Sequence, residues 1–340
     1  MQVMNYTESY VDRFLKNLSK ASEFIFDPAE RLHTLVNTWD LKLRREFLEM
    51  VKQIRSSVTL DRLTDLIVRG QIDQAFAEAE AYVLKFADAT NEAFTSSARS
   101  TADFYNTAGI AVTFDRVNTR AVEAMQQNQL RLVREFLDEQ RRVTRQAMVE
   151  GISQGLNPRD QARMFRDSIG LTERQERAVA RYRTQLEQND LSALRRQLRD
   201  RRFDRTFRRA VKDGKFLNDE QIDRMVGRYR ERYIKYRSEV IARTEALRST
   251  HQGNEELYRQ AFETGKLNPE EVVRGWSTEI DGRERPHHHS MNGQERGVNE
   301  PFVSPLGNSL MYPGDPKAPA EETVQCRCSV WTRVRRLENA

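Results

Sequence analysis

EVIARTEALRSTHQGN (residues 239–254), GWSTEIDGRERPHHHSMNGQ (275–294) and MYPGDPKAPAEETVQCRC (311–328) are the stretches whose reading decides the fold of this chain. Residues 239–335 hold four of the five histidines, both cysteines, two of the three tryptophans and most of the prolines. Side chains able to do chemistry, and residues that set irregular backbone, are therefore gathered at one end. The hydrophobic period also changes here. Val272, Val273, Trp276 and Thr278 suit a strand that stops at Asp281-Gly282. Phe302-Val303 and Leu310-Met311-Tyr312 flank Leu306-Gly307-Asn308, the pattern of a hairpin. Pro313, Pro316 and Pro319 disfavour regular structure from 312 to 323. From 326 to 334 the chain alternates, with Cys326, Cys328, Val330 and Val334 on one side and Arg327, Trp331 and Arg333 on the other. This last strand should pair with the strand around Trp276 and so bring the cysteines to the 281–289 loop.

Upstream, the signals are helical. Asp27-Pro28-Ala29-Glu30 has the form of a helix start. Leu32, Leu35, Val36, Trp39, Leu43, Phe47, Val51 and Ile54 then step by three and four. Residues 59–68 and 72–94 repeat the pattern, and such stripes read as bundle core. The apolar segment 110–114 suits a strand or a helix lead-in. The longest uninterrupted helical pattern runs from about 115 to 151, with a narrow seam (Val122, Met125, Leu132, Phe136, Val143, Met148) for packing within the chain or for self-association. Asn157-Pro158 starts a short helix that Gly170 stops. Thr172 with Gln175 is a capping box that opens the next helix. Short helix, turn and helix here have the order of a helix-turn-helix, although Gly-joined short helices are also common structural filler. Asn218 with Gln221 forms a second capping box. The helix it opens has an inner face of Ile222, Met225, Tyr229, Tyr233, Tyr236, Val240 and Ile241, running towards Gly253, and a further helix spans 255–262. The expected fold is mostly α, an extended helical body followed by a small α+β C-terminal domain. The regions are 1–115 (helical), 116–215 (long-helix and Arg-rich) and 216–340 (α+β).

Composition agrees with this and excludes other classes. In 340 residues, 31% are charged and 38% hydrophobic, with a mean hydropathy of -0.77, which suits long helices with a narrow buried stripe. No run of about 18 apolar residues occurs, so no membrane partner is expected. The N-terminus is polar and amphipathic without a signal-peptide core. Two cysteines one residue apart cannot frame a secreted disulfide protein. Reduced thiols or a metal are expected instead, in a protein assembled in a cytoplasm.

Three chemistries follow from the residue types. First, two thiols from Cys326 and Cys328 with His288 from a facing loop make a borderline-soft donor set suited to Zn²⁺, with Asp281, Glu322 or another histidine as a fourth donor. The plainer alternative is a reduced pair in a small core, with His288 bonded to Asp281 or to backbone. Second, residues 195–209 (RRQLRDRRFDRTFRR) carry Arg195, Arg196, Arg199, Arg201, Arg202, Arg205, Arg208 and Arg209 against only Asp200 and Asp204. Such a segment either meets DNA phosphates without sequence preference or forms a solvated or subunit-facing helix surface. Third, Arg243, Glu245, Asp281, Arg283 and Arg285 suit an ion-pair network that holds the loop to the helix. An enzymatic reading makes Glu245 or His288 a general acid/base beside an arginine anion clamp, as in a nuclease or an ADP-ribosyltransferase. There is no P-loop and no serine nucleophile elbow to support it.

Arg243-Thr244-Glu245, Asp281, Arg285, His288, Gly293, Pro313, Asp315-Pro316, Glu322 and Cys326-Arg327-Cys328 stand in an order that resembles the Mu F-like phage head morphogenesis, or minor head protein, family. The family's usual Asn before Cys-Arg-Cys is Gln325 here. The resemblance covers about the last 100 residues, and residues 169–187 look like the helical segment often found ahead of that domain. It implies a low-copy virion protein at the capsid interior or portal vertex, assembled in the host cytoplasm. Its implied neighbours are the portal or major capsid protein and the genomic DNA, with a part in packaging or ejection. The role expected is structural, with an enzyme built on the Glu245, His288 and Arg constellation as the alternative.

Overall fold

A computed structural model of the chain describes residues 24–335. The expected class holds: ten α-helices among the described residues, and small antiparallel sheets confined mainly to the C-terminal part. In chain order the elements are β1 (Phe24–Asp27), α1 (Ala29–Ser57), α2 (Leu60–Val68), α3 (Gln74–Thr107), α4 (Thr119–Ser153), α5 (Pro158–Ser168), α6 (Glu173–Glu187), α7 (Asp204–Lys212) and α8 (Asp219–Glu263). Then follow β2 (Val272–Ser277), α9 (Pro286–His289), β3 (Glu295–Gly297), β4 (Phe302–Val303), β5 (Ser309–Leu310), α10 (Ala320–Thr323) and β6 (Ser329–Arg335). No described helix is long and apolar enough to cross a membrane.

The compact units are not consecutive regions. Among the described residues, one is built from 24–41, 90–125 and 243–335, the other from Lys42–Ala89 and Gln126–Ala242. Helices α1, α3, α4 and α8 each contribute one part to each unit.

The first unit contains a four-stranded antiparallel sheet in the order β1-β6-β2-β3. The expected pairing of the last strand with the Trp276 strand is present, with Trp276 opposite Val330 and Ser277 opposite Ser329. Its edge strand β1 was not expected, because residues 1–110 read as helical. Asp27 belongs to that strand, opposite Thr332, and pairs with Arg31 on the first turn of α1 at 2.6 Å. Four residues are too few to show a period against a strong helical stripe, and β1 acquires its partner only at Thr332–Arg335, near the other end of the described residues. Trp331 lies across Gly275 of β2, where a Cβ would sit 1.9 Å from the indole. The core of this unit joins Ile25, Val272 and Val334 of the sheet to Ala98, Ala102 and Tyr105 of α3 and Leu257, Tyr258 and Ala261 of α8. Within it the Tyr105 and Tyr258 hydroxyls meet at 2.8 Å. Residues 110–114 form neither strand nor helix, because the Asn106 side chain satisfies both the N–H and the C=O of Val112 (3.0 and 2.9 Å).

Helix α8 corrects the reading that the 115–151 pattern is the longest helix. It spans 45 residues, joins the two expected helices, and passes through Gly253 without a break. Gly253 is there for close approach: a Cβ would lie 2.1 Å from the Phe94 carbonyl oxygen of α3. Buried Arg274 of β2 ties this helix to the C-terminal loops. Its guanidinium donates to Glu255 Oε1 (2.8 Å) and to the carbonyls of Met311, Glu300 and Gly297 (2.8, 2.9 and 3.1 Å).

In the second unit the expected stripes are core. Phe47 packs edge-on against Phe86 and Phe136, with the Arg237 guanidinium 5.9 and 5.7 Å from the Phe47 and Phe136 rings. Both capping boxes form: Thr172 with Gln175, and Asn218 with Gln221. The turn between α5 and α6 is built into this packing. Gln140 bonds Gly170 N and Leu171 O (2.9 and 3.0 Å), and Arg55 donates to the carbonyls of Asp167 and Ile169 (2.7 and 2.8 Å).

Candidate functional site

Four segments of the first unit converge where β2 ends. Thr278 follows that strand, and its hydroxyl donates to the carbonyl of His288 (2.7 Å), while its N–H donates to Asn292 Oδ1 (2.9 Å). Gly293 N donates to the Trp276 carbonyl (2.8 Å), closing the loop back on the strand. Pro286 begins the single turn α9, which turns its three histidines differently: His287 half-buried, His288 buried, His289 exposed. The cysteines precede β6, held by Arg243 Nε donating to the Cys326 carbonyl (3.2 Å). Gln325 takes a left-handed backbone (φ 55°), with its N–H on Thr244 Oγ1 (3.1 Å). Asn tolerates that conformation better than Gln does.

His288, Cys326 and Cys328 are brought together, all buried. His288 Nδ1 lies 3.5 Å from each sulfur. On the other side of the ring, Nε2 lies 2.7 Å from Glu322 Oε2, whose carboxylate is fully buried. Glu322 Oε1 accepts from Asn308 Nδ2 (2.8 Å) in the β4–β5 hairpin. The Cys328 N–H donates to Cys326 Sγ (3.4 Å).

The electrostatics follow from these contacts. Burial raises the Glu322 carboxyl, but donors from Asn308, Ser304 and His288 outweigh it and hold the group below its ordinary value. Burial also opposes a charged His288, yet Cys326 and Glu322 hold its pKa above the usual value. In the thiol pair, Cys326 ionises first, its sulfur stabilised by Cys328 and His288, and Cys328 then resists losing its proton beside that charge.

Asp281 does not reach His288, as one reading expected. It is taken by Arg283 (2.6 Å) and Arg327 (2.7 Å). Glu322 stands in its place because α10 is folded inward beneath the hairpin, whereas Asp281 caps an exposed turn. Of the five residues expected to form one network, Asp281 and Arg283 pair with each other, and the other three also bond outside the set. Glu245 meets Arg248 (3.0 Å), Arg243 also reaches Asn37 Oδ1 (2.6 Å), and Arg285 donates to the Val324 carbonyl. Sequence reading missed Asn308, which looked like a turn residue only, and the fixing role of Thr278.

In the second unit the arginine segment divides into two groups. Arg199 bonds Asp204 (2.8 Å), Arg202 bonds Asp200 (2.6 Å), Arg209 lies 3.7 Å from Asp213, and Arg196 donates to Gln185 (3.0 Å). Arg195, Arg201, Arg205 and Arg208 are exposed and have no ion-pair partner among the described residues. Phe207 is the buried side of α7.

The chain is mostly helical, with a small C-terminal sheet held by Arg, His and Cys contacts. Residues 201–331 match the family model described as Phage Mu protein F like protein. The match begins some 40 residues before Arg243 and so takes in α7 and all of α8. No curated protein and no solved structure matches the chain.

Proposed function

We propose that this chain is a minor structural protein of a phage head, acting in head morphogenesis at the portal or capsid interior. The observation that carries the reading is the Mu F-like match over residues 201–331. The burial of the C-terminal constellation supports it. Glu245 is 5% exposed and His288 1% exposed, each engaged with a neighbour, which suits residues that hold a fold more than residues that meet a substrate. The helical body docks on portal or major capsid neighbours, with the long helices available for self-association. The unpaired Arg195, Arg201, Arg205 and Arg208 contact genomic DNA through phosphates.

Particle fractionation tests the location. The chain should copurify with procapsids or virions, and its absence from purified particles would refute the reading. A salt titration tests the DNA contact. Replacing the four free arginines by Gln should flatten the dependence of log K on log salt by about 0.9 for each phosphate that is no longer neutralised. An unchanged slope would remove DNA from the proposal.

A further inference from the structure

We infer that Cys326 Sγ, Cys328 Sγ and His288 Nδ1 bind a Zn²⁺ ion, with Glu322 as the carboxylate that orients the histidine. The first argument is distance. Tetrahedral zinc with Zn–N of about 2.0–2.1 Å and Zn–S of about 2.3 Å sets a ligand nitrogen and sulfur about 3.6 Å apart. Both nitrogen–sulfur separations here are 3.5 Å. The imidazole nitrogen thus stands where one ion reaches it and both sulfurs.

The second argument is the tautomer. Glu322 Oε2 at 2.7 Å is an acceptor, so Nε2 carries the hydrogen and Nδ1 presents a lone pair to the sulfurs. A carboxylate on the far nitrogen of a ligating histidine is the usual support of a zinc ligand. Glu322 is itself oriented by Asn308, so the support reaches a further element of the fold.

The third argument is charge. Two thiolates, one neutral imidazole and Zn²⁺ sum to a neutral group, so loading leaves no net charge among three buried ligands. Two thiol protons leave to solvent as the two Zn–S bonds form. The Cys326 sulfur also accepts the Cys328 N–H, a donor suited to a thiolate. Nitrogen and sulfur donors select zinc over Mg²⁺ or Ca²⁺. Bound there, the ion joins the start of β6 to α9 and, through Glu322 and Asn308, to the β4–β5 hairpin.

The test uses the full chain, purified without a histidine tag or chelator and kept reduced. Elemental analysis should find about one zinc per chain. Less than about 0.2 zinc per chain after incubation with zinc and desalting, or a different metal in its place, would overturn the assignment. Cys326→Ser and Cys328→Ser should each lose the metal. Because those variants can misfold, the wild type exchanged with Co²⁺ gives an independent readout. A thiolate-to-cobalt band in the near ultraviolet supports the ligand set, and cobalt uptake without that band refutes it. Glu322→Gln should keep the metal but bind it about 10–100-fold more weakly in chelator competition, and unchanged affinity would refute the orienting role. Metal content is read independently of particle association, so either proposal can fail alone.

Discussion

Helix α8 carries two glycines for which the same substitution should have opposite effects. At Gly227 nothing lies within 4 Å of an added Cβ. Gly227→Ala should therefore gain the helix-propensity difference alone, about 0.5–1 kcal/mol. At Gly253 the Cβ would lie 2.1 Å from the Phe94 carbonyl oxygen and 2.8 Å from its carbon, whereas real Cβ atoms essentially never come within 3.0 Å of such atoms. Both colliding groups are helix backbone, so no rotamer change relieves the contact. α3 and α8 must part by about 1 Å, and overpacking of this kind costs about 1–3 kcal/mol. Subtracting the propensity gain of about 1 kcal/mol leaves Gly253→Ala destabilised by up to about 2 kcal/mol. Urea unfolding followed by far-ultraviolet circular dichroism measures both variants. If Gly253→Ala is stabilised, in the same direction as Gly227→Ala, the close approach of the two helices is wrong.

Arg274→Met should destabilise the first unit by about 3–5 kcal/mol, since it strands the buried Glu255 carboxylate and three carbonyls. Adding Glu255→Met should restore only part of this, and a single variant within about 1 kcal/mol of wild type would refute the account. His251 is buried with Nδ1 on the Leu247 carbonyl (3.0 Å), and burial lowers its pKa to about 4. The unfolded chain binds that proton near the ordinary value of about 6.5, so stability falls as pH drops from 6.5 to 4, by about 3 kcal/mol in all. His251→Met should remove this part of a urea-midpoint profile against pH, and an unchanged slope would count against it. Gln325→Asn should gain about 0.5–1 kcal/mol by easing the left-handed backbone, read as a higher unfolding midpoint; a lower midpoint would show that the Gln side chain contributes in some other way.

Much of this molecule is written in short-range signals. Thr172 with Gln175 and Asn218 with Gln221 announce their helices because each box is a reciprocal bond across three residues. The alternation around Val330 and Val334, set against Trp276, was enough to pair β6 with β2 and to bring Cys326 and Cys328 to the loop that bears His288. That loop has a run of three histidines, and which of them turns inward depends on how Pro286 starts α9 and on Thr278 holding the His288 carbonyl.

What the residues alone determined was local: caps, stripes, the strand that follows Cys-x-Cys (from Ser329, where alternation had suggested 326) and the Mu F-like order of motifs. What only the tertiary structure decided was long-range. Phe24–Asp27 becomes a strand because β6 offers an open edge, Gly253 is helical because Phe94 leaves room for nothing larger, and Glu322 rather than Asp281 meets His288 because α10 folds inward. The physical reason is common to all three. A cap or an amphipathic stripe is satisfied by residues a few positions away, whereas an edge strand, a tight helix crossing or a buried carboxylate is stable only once a distant part of the chain supplies its partner.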